Sequence, residues 1–153
     1  MPNIKPNCGP SSVAHLVGVE VDEAMSKFAA VNPRRYGGKR WQGYSYVSDC
    51  VDVLNSHGKA QEMTERGSLK SFVEKHTTKS GEYFLRVGGH FIAIKNQKVY
   101  DNWFDGADAA DCKWSRKRVT HAYRFTAKTA EQDDFSARLE RSRKAGLAIQ
   151  SAA

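Results

Sequence analysis

The 153-residue chain contains no apolar run of about eighteen residues, the length a membrane-spanning helix needs. It also lacks the unbroken apolar core of a signal peptide near its start, because Pro2, Pro6, His15 and Glu20 interrupt that region. We therefore expect no membrane association and a reducing, cytoplasmic setting.

Cysteine is scarce, and its spacing does not suggest cross-links. Cys8, Cys50 and Cys112 form an odd set without a CxxC pair, which argues against a disulfide framework and a structural zinc site. The acidic stretch 105–111 lacks the spacing of a calcium-binding EF-hand loop. We expect neither a metal nor an organic cofactor.

No nucleic-acid-binding motif accompanies the net charge of +7. The chain shows neither a recognition helix nor a set of stacking aromatics, so we interpret the basic clusters as solvated surface. Sequence-specific nucleic-acid binding is not expected, and an acidic protein or peptide partner is favoured. The clustered cations are Arg34, Arg35, Lys39, Arg40, Arg116, Lys117 and Arg118.

Helix patterns dominate the first half of the chain, and strand patterns follow. We predict helices that start at Cys8, at the N-cap Asp22, at Val47 and at the N-cap Ser68, with a loop over 33–45. Predicted strands cover 83–87, 90–95, 99–104 and 119–126, with 105–111 as a loop. Helices first and antiparallel strands second predict an α+β fold over 1–126, followed by a helical tail over 127–153.

Cys8 precedes a Gly9-Pro10 turn and an apolar-periodic run, which places its sulfur where a helix begins. The N-terminus of a helix carries partial positive charge and favours a thiolate over a thiol. We predict Cys8 as a nucleophile. Cys50 falls on the apolar stripe of its helix and is predicted to be core, whereas Cys112 is predicted to be a surface thiol.

His90 is the best candidate for the base that activates Cys8. It opens a strand directly after Gly88 and Gly89, which allow close backbone approach beside a site. The alternatives are weaker: two histidines lie at predicted helix ends, where a cation suits the helix dipole, and one lies two helical turns from Cys8. These alternatives are His57, His76 and His15, with His121 as a strand position.

The residue that orients His90 depends on the hairpin between two predicted strands. A two-residue turn at Asn96-Gln97 places Asp101 on the His90 face, whereas a three-residue loop places Asn102 there. We favour Asp101. A cysteine, a histidine and a carboxylate or amide in this arrangement form a cysteine-nucleophile triad.

In this order, the segments Asn7-Cys8-Gly9-Pro10, Gly89-His90-Phe91 and Tyr100-Asp101-Asn102 resemble papain-like cysteine peptidases. The likeness is to the small, stand-alone C39-like type of phage and bacterial genomes, and it covers residues 3–104. It implies the papain-like fold, with N-terminal helices packed on a small antiparallel sheet. It also implies hydrolysis of a peptide, isopeptide or amide bond by Cys8, His90 and Asp101, in the host cytoplasm if the protein is phage-encoded.

One departure from the family pattern concerns the oxyanion hole. Family members usually carry a Gln several residues before the cysteine, and residues 1–7 contain none. Asn3 and Asn7 are the candidate replacements, with the Cys8 backbone N–H as partner. Two alternatives to a hydrolase stay open: a weak or inactive papain-fold protein that binds a host or partner protein, and a transglutaminase-like acyl transferase.

Aromatic residues near the predicted site are candidates for lining a substrate groove. Trp41, Tyr44 and Tyr46 belong to or follow a Gly-containing loop, and Trp103 follows the predicted orienting residue. For the loop aromatics, the alternative is a lid that packs on the core.

Overall fold

The computed structural model describes residues 8–36, 45–129, 135 and 138–145. Most helices precede the main strands, as the sequence predicts. Asp22 lies in the first turn of its helix, and Glu20 occupies the N-cap that was predicted for Asp22. The helices are α1 (Cys8–Val17), α2 (Val21–Val31), α3 (Pro33–Tyr36), α4 (Val47–His57) and α5 (Leu69–His76), and residues 135 and 138–145 are also helical.

The strands form one antiparallel sheet, so the α+β prediction is confirmed. The strands are β1 (Gly58–Glu62), β2 (Gly67–Ser68), β3 (Glu82–Val87), β4 (His90–Lys95), β5 (Lys98–Tyr100), β6 (Asp105–Asp108) and β7 (Arg118–Ala127). Their order in the sheet is β1-β7-β3-β4-β5-β6, and β2 pairs with β7. In the part of the chain that the structure describes, a 3-10 helix over Ala109–Asp111 follows β6.

Three local predictions are wrong. The stretch predicted as a loop over 105–111 forms β6 and the 3-10 helix, and β5 ends at Tyr100 rather than at 104. The sequence does not predict strand β1, because its residues are mostly exposed and show no apolar alternation. Backbone pairing with β7 holds this strand in the sheet. Within the predicted loop over 33–45, Pro33 begins the short helix α3, since its fixed φ suits a first helical position.

Apolar side chains pack into two clusters on opposite faces of the sheet, because neighbouring strand residues point to opposite sides. On β3, Tyr83 and Leu85 belong to the cluster that contains residues of α5, whereas Phe84 belongs to the cluster with α1, α2 and α4. Cys50 is fully buried in the second cluster, which confirms its core prediction. The sheet thus separates the N-terminal helices from α5.

Cys112 is not a surface thiol, and that prediction is wrong. The residue is only 3% exposed and packs in the cluster that contains residues of α5. Its sulfur accepts a hydrogen bond from the Trp114 backbone N–H at 3.4 Å. The charged neighbours Asp111 and Lys113 are exposed while the thiol points inward, which the local sequence alone does not reveal.

Two long-range hydrogen bonds fix α1 on β4. The buried Ser12 hydroxyl donates to the Phe91 carbonyl at 2.9 Å, and Lys95 Nζ donates to the His15 carbonyl at 3.1 Å. These contacts hold the first residue of α1 close to the first residues of β4. Among the described residues, no helix has the length and apolar character to cross a bilayer.

Candidate active site

Cys8 lies at the beginning of α1 and is almost completely buried. Its sulfur accepts hydrogen bonds from the Phe91 and Gly9 backbone N–H groups and from the His90 ring. Burial alone raises the pKa of the Cys8 thiol, but these hydrogen bonds and the His90 charge outweigh burial and lower the pKa below its usual value. The site therefore favours a thiolate.

Gly9 lets the chain at Ser45 approach the start of α1. A Cβ added at Gly9 would lie 2.7 Å from both Cβ and Oγ of Ser45, closer than such atoms can approach. The Ser45 hydroxyl is buried and has no hydrogen-bond partner among the described residues. Gly9 is therefore needed for the packing of residue 45 beside Cys8.

His90 begins β4 after a tight turn at Gly88 and Gly89, whose φ angles are 56° and 82°. These left-handed angles suit glycine, and the turn pairs Val87 with His90. The His90 Nε2 and Asp101 Oδ2 atoms lie 2.6 Å apart, which leaves Nδ1 for the sulfur of Cys8. Burial lowers the pKa of His90, but its hydrogen bonds to Asp101 and Cys8 raise it to about 9.

Asp101 directly follows β5, and its carboxylate is inaccessible to solvent. The β4–β5 turn has two residues, Asn96 and Gln97, both with positive φ, so Ala93 pairs with Tyr100. This register is the alternative that places Asp101 on the His90 face, and the contact between the two side chains agrees with it. Asn102, the other candidate, is exposed.

The second carboxylate oxygen of Asp101 fixes the backbone that follows. Asp101 Oδ1 accepts hydrogen bonds from the N–H groups of Trp103, at 2.7 Å, and Phe104, at 2.6 Å. Burial raises the pKa of Asp101, but the His90 contact and these two N–H donors outweigh it and lower the pKa below its usual value. Asp101 therefore stays ionised while it holds the imidazole ring.

Trp114 covers one face of His90 and was not found from the sequence. The two rings stack with centroids 4.4 Å apart and an interplanar angle of 19°. Lys113 Nζ lies 4.8 Å from the ring centroid of Trp103 and 4.7 Å from that of Trp114. Trp103, a predicted groove residue, is 67% exposed and lies beside this group. Trp114 comes from the turn before β7, and no spacing in the sequence links it to His90.

The other predicted site residues lie elsewhere or outside the described part of the chain. Asn3, Asn7, Trp41 and Tyr44 lie outside the described residues. His15 packs on Tyr100 and His76 on Phe72, and of the described histidines it is His90 that hydrogen bonds to Cys8.

A cleft of about 540 Å³ is lined in part by neighbours of Cys8 and His90. Ser45, which contacts the Gly9 position, forms one wall, and Phe91, which follows His90, forms another. The exposed Tyr46 also contributes to the lining. The described residues that line it are Ser45, Tyr46, Val47, Ser48, Arg86 and Phe91, and we call it the Arg86 cleft.

Comparisons of the chain with protein-family models, curated proteins and solved structures found no match. The chemistry of the site is therefore inferred from its own geometry. Within the described ranges, no three His, Cys, Asp or Glu side chains lie close enough together to hold a metal ion.

Proposed function

We propose that this protein is a thiol-dependent hydrolase of the papain-like type, which cleaves a peptide, isopeptide or amide bond. The observation that carries the proposal is the connected series Cys8, His90 and Asp101 at the start of α1, the start of β4 and the end of β5. A lowered thiol pKa beside a raised imidazole pKa favours a thiolate–imidazolium pair at neutral pH.

The reaction follows from this pair in two halves. The Cys8 thiolate attacks the substrate carbonyl carbon, and the imidazolium of His90 gives its proton to the departing amine as the carbon–nitrogen bond breaks. A thioester then joins the acyl group to Cys8. His90, now neutral, takes a proton from water, the resulting hydroxide attacks the thioester, and the acid leaves as the Cys8–His90 ion pair re-forms.

Asp101 and Trp114 position the imidazole through these steps. The carboxylate holds the Nε2–H and keeps Nδ1 directed at the sulfur. The stacked indole of Trp114 restricts rotation of the ring. For the oxyanion, the candidate donors are the Cys8 backbone N–H, at the start of α1, and the Asn3 or Asn7 amide.

The arrangement of elements agrees with the papain-like type without being specific to it. A helix that begins with the cysteine packs on the strand that begins with the histidine, and the buried Ser12–Phe91 hydrogen bond joins them. The carboxylate follows one hairpin later.

The experiment is a mass-spectrometric search for new termini in a peptide mixture incubated with the protein. We expect cleavage by the wild-type chain, and loss of cleavage with Cys8→Ala and His90→Ala variants whose circular dichroism is unchanged. Asn102→Ala serves as the matched control, since Asn102 is exposed beside Asp101. Hydroxylamine added to the assay traps the Cys8 thioester as a hydroxamate and so reports the covalent intermediate. Cleavage that persists in Cys8→Ala would contradict the proposal.

A further inference from the structure

Of the described residues that line the Arg86 cleft, Arg86 alone carries a charge. It lies on β3, with Phe91 of β4 as its Cα partner, and the Phe91 N–H hydrogen bonds to the Cys8 sulfur. A Cβ added at Gly89 would lie 3.9 Å from Arg86 Nη2, so the guanidinium lies near the turn that leads into His90. Arg86 therefore lies next to Gly89 and Phe91, the residues on either side of His90.

Unlike Arg35 and Lys98, Arg86 has a guanidinium with no ion pair or hydrogen bond within the described residues. Arg35, which stacks on Tyr46 at the edge of the cleft, pairs with Asp49 at 2.6 Å. Lys98 pairs with Asp108. Arg86 is partly buried, so its charge is partly desolvated without a carboxylate to compensate.

The positive charge of Arg86 also acts on a neighbouring histidine. His121 on β7 is the Cα partner of Arg86. Burial, and after it the positive charges of Arg86 and Arg66, lower the pKa of His121. A guanidinium in such a position offers a planar pair of donors that matches a carboxylate.

We propose that the Arg86 cleft binds a carboxylate of the substrate, one or two residues from the bond that Cys8 attacks. The remaining described lining residues are neutral, with the Ser48 hydroxyl as a further donor and Val47 and Phe91 as apolar walls. The substrate class is therefore a peptide with Asp or Glu near the scissile bond. This inference rests on the proposed function, because it assigns the cleft to the substrate of Cys8.

The first test compares fluorogenic peptides that carry Glu or Gln at one position at a time, for wild type, Arg86→Gln and Arg124→Gln. Arg124 is an exposed arginine on β7 outside the cleft and is the matched control. At one position of the peptide, we expect kcat/KM to be at least about tenfold higher with Glu than with Gln, because one charge-assisted hydrogen bond contributes about that factor. Arg86→Gln reduces the Glu-to-Gln ratio of kcat/KM to within about twofold of one, and Arg124→Gln retains the preference.

Peptides with free and amidated C-termini separate the two sources of a carboxylate. An acidic side chain is recognised in both forms, whereas a terminal carboxylate is recognised only in the free form, and the proposal expects the former. Cleavage without any acidic preference, or a preference that survives Arg86→Gln, overturns the carboxylate site and leaves the hydrolase proposal intact.

A second test does not depend on turnover. A peptide array probed with the Cys8→Ala protein and with the same variant carrying Arg86→Gln measures recognition alone. We expect Glu-for-Gln replacement to strengthen binding only when Arg86 is present. Equal binding of both peptides overturns the carboxylate site, whereas a preference without any cleavage by wild type supports the site and counts against the hydrolase.

Discussion

Asp101 uses its two carboxylate oxygens for different purposes. Oδ2 faces His90 Nε2, and Oδ1 accepts the N–H groups of Trp103 and Phe104, so one buried side chain orients the imidazole and shapes the turn after β5. Because it is fully inaccessible to water, its alignment with the ring does not depend on solvent. The residue is therefore both a positioning group and a structural one.

We predict that Asp101→Ala lowers kcat/KM by about two to four orders of magnitude, because the imidazole loses its fixed tautomer. Asn102→Ala is expected to change kcat/KM by less than about twofold, since its side chain is exposed. Asp101→Asn separates the two roles, because its amide oxygen still accepts the Trp103 and Phe104 N–H groups. The measurement is peptide hydrolysis, with thermal unfolding as the check on folding. A larger loss for Asn102→Ala than for Asp101→Ala would contradict the assignment.

Some residues of the site could be predicted from the sequence and others could not. Cys8 and His90 have local signals, namely a Gly-Pro pair, which forms part of the first turn of α1 rather than a separate turn before it, and a Gly-Gly turn before a strand. The choice of Asp101 depends on the register of β4 and β5, because the sequence alone leaves Asn102 as an alternative until the length of the turn between these strands is known. Trp114 and Arg86 approach the site through tertiary packing, for which a single sequence has no periodic signal.

At the scale of elements, the site depends on how closely α1 approaches its neighbours. Ser12 ties the helix to Phe91, and Gly9 lets the segment beginning at Ser45 lie against the helix start. The same segment forms one wall of the Arg86 cleft. Packing of α1 therefore sets both the position of the sulfur and the width of the cleft.

We predict that Gly9→Ala destabilises the protein by about 1–3 kcal/mol, because the new methyl overlaps the Ser45 side chain. Ser45→Gly removes the atoms that clash, so the double variant Gly9→Ala with Ser45→Gly should recover most of the loss. Urea unfolding of the wild type, both single variants and the double variant measures this coupling. Additive effects of the two substitutions would show that the contact does not limit residue 9.

Elements with strong apolar patterns were predicted well, and those held by backbone pairing were not. Helix α4 and strands β4 and β7 match their predicted bounds to within one residue, and Ser68 caps α5 as predicted, accepting the Ser71 N–H. Strand β6, by contrast, is an Asp- and Gly-containing segment that pairs with β5. Its hydrogen bonds come from the backbone, and its side chains resemble those of a loop.

At the scale of the whole molecule, the positive charge is spread over separate surfaces. Arg35 is neutralised by Asp49, whereas Arg116, Lys117 and Arg118 are exposed before and at the start of β7. Lys39 and Arg40 lie outside the described residues. The described cations therefore do not by themselves define a nucleic-acid site.

We predict that any DNA affinity involves phosphates alone, without dependence on base sequence. Each phosphate contact releases counterions, so binding should weaken steeply as the salt concentration rises. Gel-shift titrations with two unrelated duplexes, at low and at physiological salt, measure both properties. Tight binding to one duplex only, at physiological salt, would contradict the interpretation of the basic residues as solvated surface.

The central claim is that Cys8 and His90 form an ion pair at neutral pH, and pH dependence is the property that follows most directly from it. Below the lowered pKa of Cys8, the sulfur is a protonated, unreactive thiol. Above about pH 9, His90 loses the proton that the leaving amine needs. Hydrolysis should therefore be greatest between these limits, with apparent values that belong to the pair.

The most direct measurement is the rate of iodoacetamide alkylation of each cysteine in the folded protein as a function of pH, read by mass spectrometry. Cys8 should react first and with a midpoint below that of a free cysteine, because its pKa is lowered. Cys50 and Cys112 are buried, and burial raises the pKa of both thiols, so they should react slowly. His90→Ala should move the Cys8 midpoint up towards the ordinary value. Equal labelling of the three thiols, or a wild-type Cys8 midpoint at or above that of a free cysteine, would contradict the ion pair.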